Sequence, residues 1–260
     1  MTKTILITGS TDGIGLQTAR SLVGEGQRVL LHGRSADKLA TAKAETGAET
    51  GFIADLSSIA GANALAEAVR REIGQLDVLI NNAGVFKTPQ AVTEEGYDIR
   101  FMVNTIAPYA LTKALVPAMP ATGRVVNLSS AAQAPFSLEA LRGEQRLAAQ
   151  EAYSQSKLAL TGWTRALAAA APNGPVFLAI NPGSLLATKM VQEGYGIAGN
   201  DIAIGAAILR DAALDPAFAD KSGAYFDNDS GCFADPHPFV MQSATNRALV
   251  EALDTLAAQG

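Results

Sequence analysis

Lys3-Thr4-Ile5-Leu6-Ile7-Thr8-Gly9-Ser10-Thr11-Asp12-Gly13-Ile14-Gly15 sets the architecture of this chain. Ile5-Leu6-Ile7 reads as a short buried strand, and beyond the glycines Leu16, Ala19, Leu22 and Val23 recur at helical spacing. Strand, glycine turn and helix are half of a nucleotide-binding unit. Glycines permit the tight backbone, let main-chain N–H groups approach a pyrophosphate, and leave the positive helix end aimed at that anion. No lysine follows Gly15, so the turn is not a triphosphate P-loop. Taken alone, the spacing also fits a tight strand-to-helix connection without a ligand.

The 260 residues fit one α/β domain, 1–260, and a hydrophobic share of 48% can fill its core. A net charge of -5, without a run of lysines and arginines, argues against nucleic acid as a partner. The single cysteine, Cys232, excludes an internal disulfide and reads as a small half-buried side chain. His32 and His237 are the only histidines, so no metal site is expected. No basic-then-apolar leader precedes the first strand and no apolar stretch is long enough to span a bilayer, which leads us to expect a soluble, cytoplasmic protein.

Arg28 to His32 is a second strand, ending at Gly33-Arg34. In a dinucleotide site this end faces the adenosine ribose. A carboxylate there would bind the 2′-hydroxyl of NAD, whereas Arg34 suits a 2′-phosphate, so NADP(H) is favoured over NAD(H). The other reading is a cation that merely solvates the strand end. Phe52-Ile53-Ala54 is a third strand ending in Asp55-Leu56, where the carboxylate suits an adenine amino group or an ordinary loop. Leu76 to Ile80 is a fourth, running into Asn81-Asn82-Ala83-Gly84. These residues read as a turn, or as paired amides binding across the cofactor and the neighbouring backbone.

A helical pattern runs from Tyr97 to Ala118, and Pro108 inside it predicts a kink just past Asn104. Arg124 to Leu128 is a fifth strand leading into Ser129-Ser130, ordinary loop chemistry by itself. Val176 to Ile180 is a sixth, closed by Asn181-Pro182-Gly183, and Gly223 to Phe226 is the last. From Lys189 to Gly199, Met190, Tyr195 and three glycines read as a substrate lid or a plain loop, followed by a helix from Asp201 to Leu214. Together they place a lid at about 189–215. Asp227 to Gly231 resembles a calcium loop but lacks its closing glutamate, so it reads as a turn.

Tyr153 and Lys157 are four apart and share one face of a helix. A free phenol has a pKa of about 10, too high for proton exchange at neutral pH, and a nearby ammonium lowers it. Tyr153 is thus a candidate general acid for a carbonyl being reduced, or base for an alcohol being oxidised. Packing of the ring with a solvated lysine is the plainer reading.

Thr8 to Gly15, Asn81-Asn82-Ala83-Gly84, Asn104, Ser130, Tyr153-Ser154-Gln155-Ser156-Lys157 and Pro182-Gly183 resemble, in order, the motifs of the short-chain dehydrogenase/reductase family. The resemblance runs from about Lys3 to Tyr225. It implies a Rossmann-type, doubly wound parallel seven-stranded sheet with helices on both faces, and hydride transfer to or from NAD(P). It implies cofactor contacts from Gly9, Thr11, Asp12, Gly13, Ile14 and Gly15, from Arg34, Asp55 and Leu56, and from Asn82, Ala83 and Gly84. Tyr153 and Lys157, then Pro182, Gly183 and Thr188 near the nicotinamide carboxamide, would complete the set. Ser130, the second serine of its pair, would bond the reacting oxygen, Lys157 would lower the tyrosine pKa and hold the nicotinamide ribose, and Asn104 would stabilise the kink and hold a proton-relaying water.

The interval from Ser130 to Tyr153 is longer than in shorter members, and residues 134–150 look like an insertion seen in relatives similar to the retinol dehydrogenases. Apolar Phe136, Leu138, Met190 and Tyr195 point to a hydrophobic carbonyl or alcohol substrate. The resemblance implies a homodimer or homotetramer through the Tyr153 and Asn104 helices, or else a monomer whose insertion covers that face. The alternative function is a non-catalytic NAD(P)-sensing protein on the same fold. A dehydratase or epimerase is a third option, but such proteins usually run longer.

Overall fold

Buried apolar runs and amphipathic segments alternate along the chain, and they assemble as a three-layer sandwich of helices, sheet and helices. The computed structural model describes residues 2–258, and of Tyr195 the backbone only. β1 (Thr4–Ile7) leads through the glycine turn into α1 (Gly13–Gly24), β2 (Arg28–Gly33) into α2 (Ala36–Thr46), and β3 (Thr50–Ile53) into α3 (Ile59–Glu72) and β4 (Val78–Asn81). Asp12, Ser35 and Ser58 cap α1, α2 and α3 by accepting a terminal N–H that the helix itself leaves unpaired.

The segment expected as one helix from Tyr97 to Ala118 is divided. It contains α4 (Ile99–Phe101), a π turn over Met102–Ile106, α5 (Ala107–Leu115) and a 3-10 turn over Val116–Ala118. Pro108 has no N–H to return to the Asn104 carbonyl, and the wider turn absorbs that gap. β5 (Arg124–Leu128), α6 (Leu138–Leu141), α7 (Ala149–Ala170), β6 (Val176–Asn181), α8 (Lys189–Tyr195), α9 (Ile202–Leu214), β7 (Tyr225–Asp227), β8 (Cys232–Ala234) and α10 (Ser243–Ala257) follow.

The strand order is β3-β2-β1-β4-β5-β6-β7-β8. The first seven strands pair parallel, as expected, but an eighth lies antiparallel on β7. Gly231, at φ 68, helps reverse the chain between them, and Phe218, Phe226 and Phe233 form an aromatic cluster with centroids 5.1 to 5.4 Å apart. On this edge strand Cys232 is exposed, not half-buried as its residue type suggested.

Side chains from α1, α2 and α9 fill one face of the sheet, and α3 with α5 fill the other. The order reverses between β1 and β4, which opens a crevice at the carboxyl ends of the strands where α/β sheets bind ligands. Among the described residues, no helix is long and apolar enough to cross a membrane, and no group of three His, Cys, Asp or Glu side chains could hold a metal ion.

The face of α7 expected to carry an oligomer contact is covered within the chain. Trp163 is fully buried, Tyr109 donates to Asp254 of α10 at 2.7 Å, and a Cβ on Gly162 would meet Leu249 at 3.1 Å. The carboxyl-terminal helix supplies that cover together with Phe136, Ala140 and Leu141 of the 134–150 insertion. Phe136 belongs to the same core, with its ring 5.0 Å from Phe239, and Leu138 packs against that cluster. Phe136 is thus a core residue, while the half-buried Leu138 also lines a surface cavity with Tyr97, Arg142 and Leu256.

Candidate active site

Gly9 and Gly13 adopt φ values of 63° and 58°, a region that glycine enters without steric cost. The next strand's tail holds this turn. Asn82 Nδ2 donates to the carbonyls of Thr8 at 2.8 Å and Gly9 at 3.0 Å, while Thr8 Oγ1 accepts the N–H groups of Asn82 and Ala83 at 3.0 Å each. A Cβ on Gly9 would stand 2.9 Å from Ala83 Cα, so the two segments can pack only with glycine there. Asn82 therefore braces the turn through backbone, and Asn81 faces away, donating to Thr112 and Asn127. Asp12 caps Gly13, with Lys38 Nζ 3.7 Å away. Thr11 lies over Gly33, where a Cβ would meet its hydroxyl at 3.0 Å.

His32 is a member of this site that sequence reasoning missed. It is buried, its Nδ1 accepts the Gly9 N–H at 3.1 Å, and its Nε2 lies 3.2 Å from the Ala54 carbonyl. Both contacts are satisfied together only by the neutral ring with its proton on Nε2, and burial holds the pKa at about 4. The available signal was a polar residue inside the otherwise apolar strand Val29 to Leu31. Arg34, just past β2, is exposed and makes no ion pair or hydrogen bond with any described residue. Asp55 is exposed and accepts the Ser57 N–H at 2.9 Å, and Leu56 is buried in the core beneath.

Along the strand ends toward β6, Asn104 sits in the π turn. Its Oδ1 accepts the Val85 N–H at 2.8 Å, and its Nδ2 donates to Val85 O and Ser156 Oγ at 3.0 Å each. It thus ties the loop after β4 to α7. Lys157 is buried, donates from Nζ to the Leu128 carbonyl at 2.7 Å, and lies 5.8 Å from the centre of the Tyr153 ring. Burial lowers its pKa to about 8. A Cβ on Gly84 would come within 3.4 Å of Asn104 Oδ1 and 3.5 Å of Lys157 Nζ, so these three residues meet.

Tyr153 is half-buried, with its ring 5.1 Å from that of Phe86. Of the two serines, Ser129 is buried and bonded to Thr161 of α7 at 2.7 Å, while the half-exposed Ser130 accepts the Ala132 N–H. The Ser130 carbonyl is held by Tyr225 Oη at 3.2 Å and Gln133 Nε2 at 2.9 Å.

The lid expected as irregular chain contains α8, capped by Thr188 and ended by Gly196 at φ 69. The sequence signals of a cap and a C′ glycine were there, but the three glycines read as loop. Lys87 Nζ donates to the Gly194 carbonyl at 2.8 Å, and a Cβ on Gly194 would press on Phe86 at 2.9 Å, so α8 rests on the ring that touches Tyr153. Phe86 is a second residue missed from sequence. The Tyr195 side chain lies outside the described residues. The Thr188 methyl would be 3.9 Å from a Cβ on Gly13, and Ile202 4.0 Å, so the missing side chain leaves an open cradle between turn and lid. Pro182 is buried and Gly183, at φ 118, follows it at the end of β6.

A glycine cradle at a helix N-terminus, a cation at the end of β2, and a lysine-tyrosine pair three strands along, at β5, fit a dinucleotide laid across the sheet's carboxyl edge. Comparisons with known proteins agree. Mouse (Mus musculus) retinol dehydrogenase 12 is 36% identical over 204 residues, 74% of this chain and 64% of that protein. Human (Homo sapiens) retinol dehydrogenase 13 is 34% identical over 176 residues, 64% of this chain and 53% of that protein. The chain's match thus spans roughly half to two thirds of the length of these curated relatives. Among solved structures, an uncharacterized protein from Mycobacterium paratuberculosis superposes with a TM-score of 0.81 at 27% identity, covering 98% of this chain and 93% of that one. A short chain dehydrogenase from Escherichia coli CFT073 complexed with NADPH gives 0.70 at 26% identity, covering 87% and 96%. The short chain dehydrogenase family itself matches residues 3–195, and the chain belongs to that family.

Proposed function

We propose that this protein is an oxidoreductase that interconverts an alcohol and a carbonyl compound with NADP(H). The observation that carries the reading is the buried Lys157 one helical turn from the half-buried Tyr153, at the strand ends beside the glycine cradle. The bound nicotinamide supplies or accepts the hydride. In reduction, the Tyr153 phenol gives its proton to the substrate oxygen as negative charge grows there, and the Ser130 hydroxyl donates to the same atom. Lys157, when charged, favours the phenolate and so brings the tyrosine within range of neutral pH. In oxidation the same groups run in reverse, with Tyr153 as base. Asn104 fixes the loop after β4 against α7 and keeps Gly84 beside the lysine.

Preference for NADP(H) is supported by Arg34, which leaves its guanidinium free at the end of β2, and by the absence of an acidic side chain at Gly33 or Arg34. An apolar alcohol or aldehyde is supported by the retinol dehydrogenase relatives and by the Phe86 ring packed on Tyr153. The test is a panel of aldehydes, ketones and alcohols followed through reduced-nicotinamide absorbance with both cofactors, for wild type and Tyr153→Phe. Wild-type turnover of an apolar carbonyl, lost about a thousandfold in a folded Tyr153→Phe, is the expected result. Equal turnover by the two proteins would reject the assignment.

A further inference from the structure

We propose that the tip of the β7–β8 hairpin positions the Pro182–Ser184 turn against the nicotinamide half of the dinucleotide, with Asp229 as the positioning residue. The inference rests on the cofactor reading above and extends it to residues beyond 195, where the family match ends.

β6 lies between β5, which runs into Ser129-Ser130, and β7, with Asn181 paired in register to Asp227. The turn that follows β6 is therefore one strand from Ser130. The Ser184 carbonyl accepts from Asn200 Nδ2 at 3.0 Å, and most of the turn's other polar groups bond the hairpin. Asp229 Oδ1 accepts the Ser184 N–H at 2.8 Å, and its Oδ2 accepts from Ser184 Oγ at 2.6 Å and Asn181 Nδ2 at 2.9 Å. The Asn181 amide also donates to Asp227 at 2.7 Å, and Asn228 Nδ2 donates to the Pro182 carbonyl at 2.9 Å. Gly183 between them holds φ at 118°, which only glycine tolerates, so the turn has one shape and the hairpin fixes it.

The same element reaches the backbone of Ser130. Tyr225, first residue of β7, donates to the Ser130 carbonyl at 3.2 Å. One short hairpin thus braces both groups that would flank the reacting carbon. It stands far from the adenosine end, because β2 and β6 are four strand spacings apart, about 19 Å. A defect at Asp229 should therefore be felt by one half of the cofactor and not by the other.

That asymmetry provides the test. NADP+ and 2′,5′-adenosine diphosphate, which carries only the adenosine half, are titrated calorimetrically into the full chain as wild type, Asp229→Ala, Asp229→Asn and Asn228→Ala. In Asp229→Ala the Kd for NADP+ should rise about tenfold while that for the fragment stays within about twofold, and Asp229→Asn, which keeps one oxygen for the Ser184 N–H, should recover part of the loss. Should Asp229→Ala not fold, Asn228→Ala carries the same comparison. Unchanged NADP+ affinity, or equal weakening of both probes, would overturn the positioning role. A wild type that binds neither probe would instead overturn the cofactor reading on which the inference rests.

Discussion

Lys157 Nζ donates to the Leu128 carbonyl at 2.7 Å, so the last residue of β5 holds the ammonium of α7 beneath the Tyr153 ring. Burial lowers the lysine pKa from 10.5 to about 8, which means that the folded state releases this proton before the unfolded chain does. Between about pH 8 and 10.5 the unfolded state binds more protons, and stability contributed at this site rises with pH. Measured against Lys157→Met, whose other groups titrate alike, the wild type should gain in urea midpoint from pH 8 to 10.5. A difference that stays flat over that window would show that the lysine is not held in the buried state described.

Ser129 and Ser130 adjoin but have opposite surroundings. Ser129 is buried and bonded to Thr161, whereas Ser130 turns a half-exposed hydroxyl toward the crevice edge. Ser129→Ala should therefore cost about 1 kcal/mol of stability by removing its buried hydrogen bond to Thr161, with modest loss of turnover. Ser130→Ala should keep the wild-type unfolding midpoint and lose about a hundredfold in kcat. Denaturation and initial-rate measurements on the pair separate the two roles.

What was legible in the sequence was local. The glycine turn, the Tyr153 to Lys157 spacing and the first seven strands each rest on residues close in the chain, where period and turn chemistry act directly. The misses are long-range or chemically ambiguous. His32 meets Gly9 across two strands, and its one local signal, a polar residue ending an apolar strand, does not say which partner it takes. Phe136 is apolar whether it lines a pocket or fills a core, and only the approach of Phe239 decides for the core. β8 has three residues, too few for any period to show, and exists because β7 offers an edge and Phe226 a partner.

Arg34 is exposed without a partner among the described residues, and Lys38 lies four residues further on, 58% exposed and 3.7 Å from Asp12. A 2′-phosphate at this end would meet the guanidinium with paired, charge-assisted hydrogen bonds. Arg34→Ala should lower the ratio of kcat/KM with NADPH to that with NADH by about 10- to 100-fold, mainly through KM. Lys38→Ala should do less, because an exposed ammonium already near a carboxylate adds little further attraction. Retention of the full ratio in Arg34→Ala would move the phosphate elsewhere.

The His32 contact makes the glycine turn sensitive to acid. Its pKa of about 4 lies below the ordinary 6.5, so between these values the unfolded chain takes up a proton that the folded ring refuses. Stability from this site is therefore complete above about pH 6.5 and falls as the pH drops toward 4. Protonated Nδ1 can no longer accept the Gly9 N–H, and the first glycine of the cradle loses its tie to β2. His32→Leu should cost about 2 to 3 kcal/mol at pH 7 by leaving both the Gly9 N–H and the Ala54 carbonyl without their partner. It should also remove the site's acid slope, so that wild type and variant converge in urea midpoint as the pH falls from 6.5 to 4.5. Parallel curves would mean that His32 titrates as an ordinary solvated imidazole and does not hold the turn.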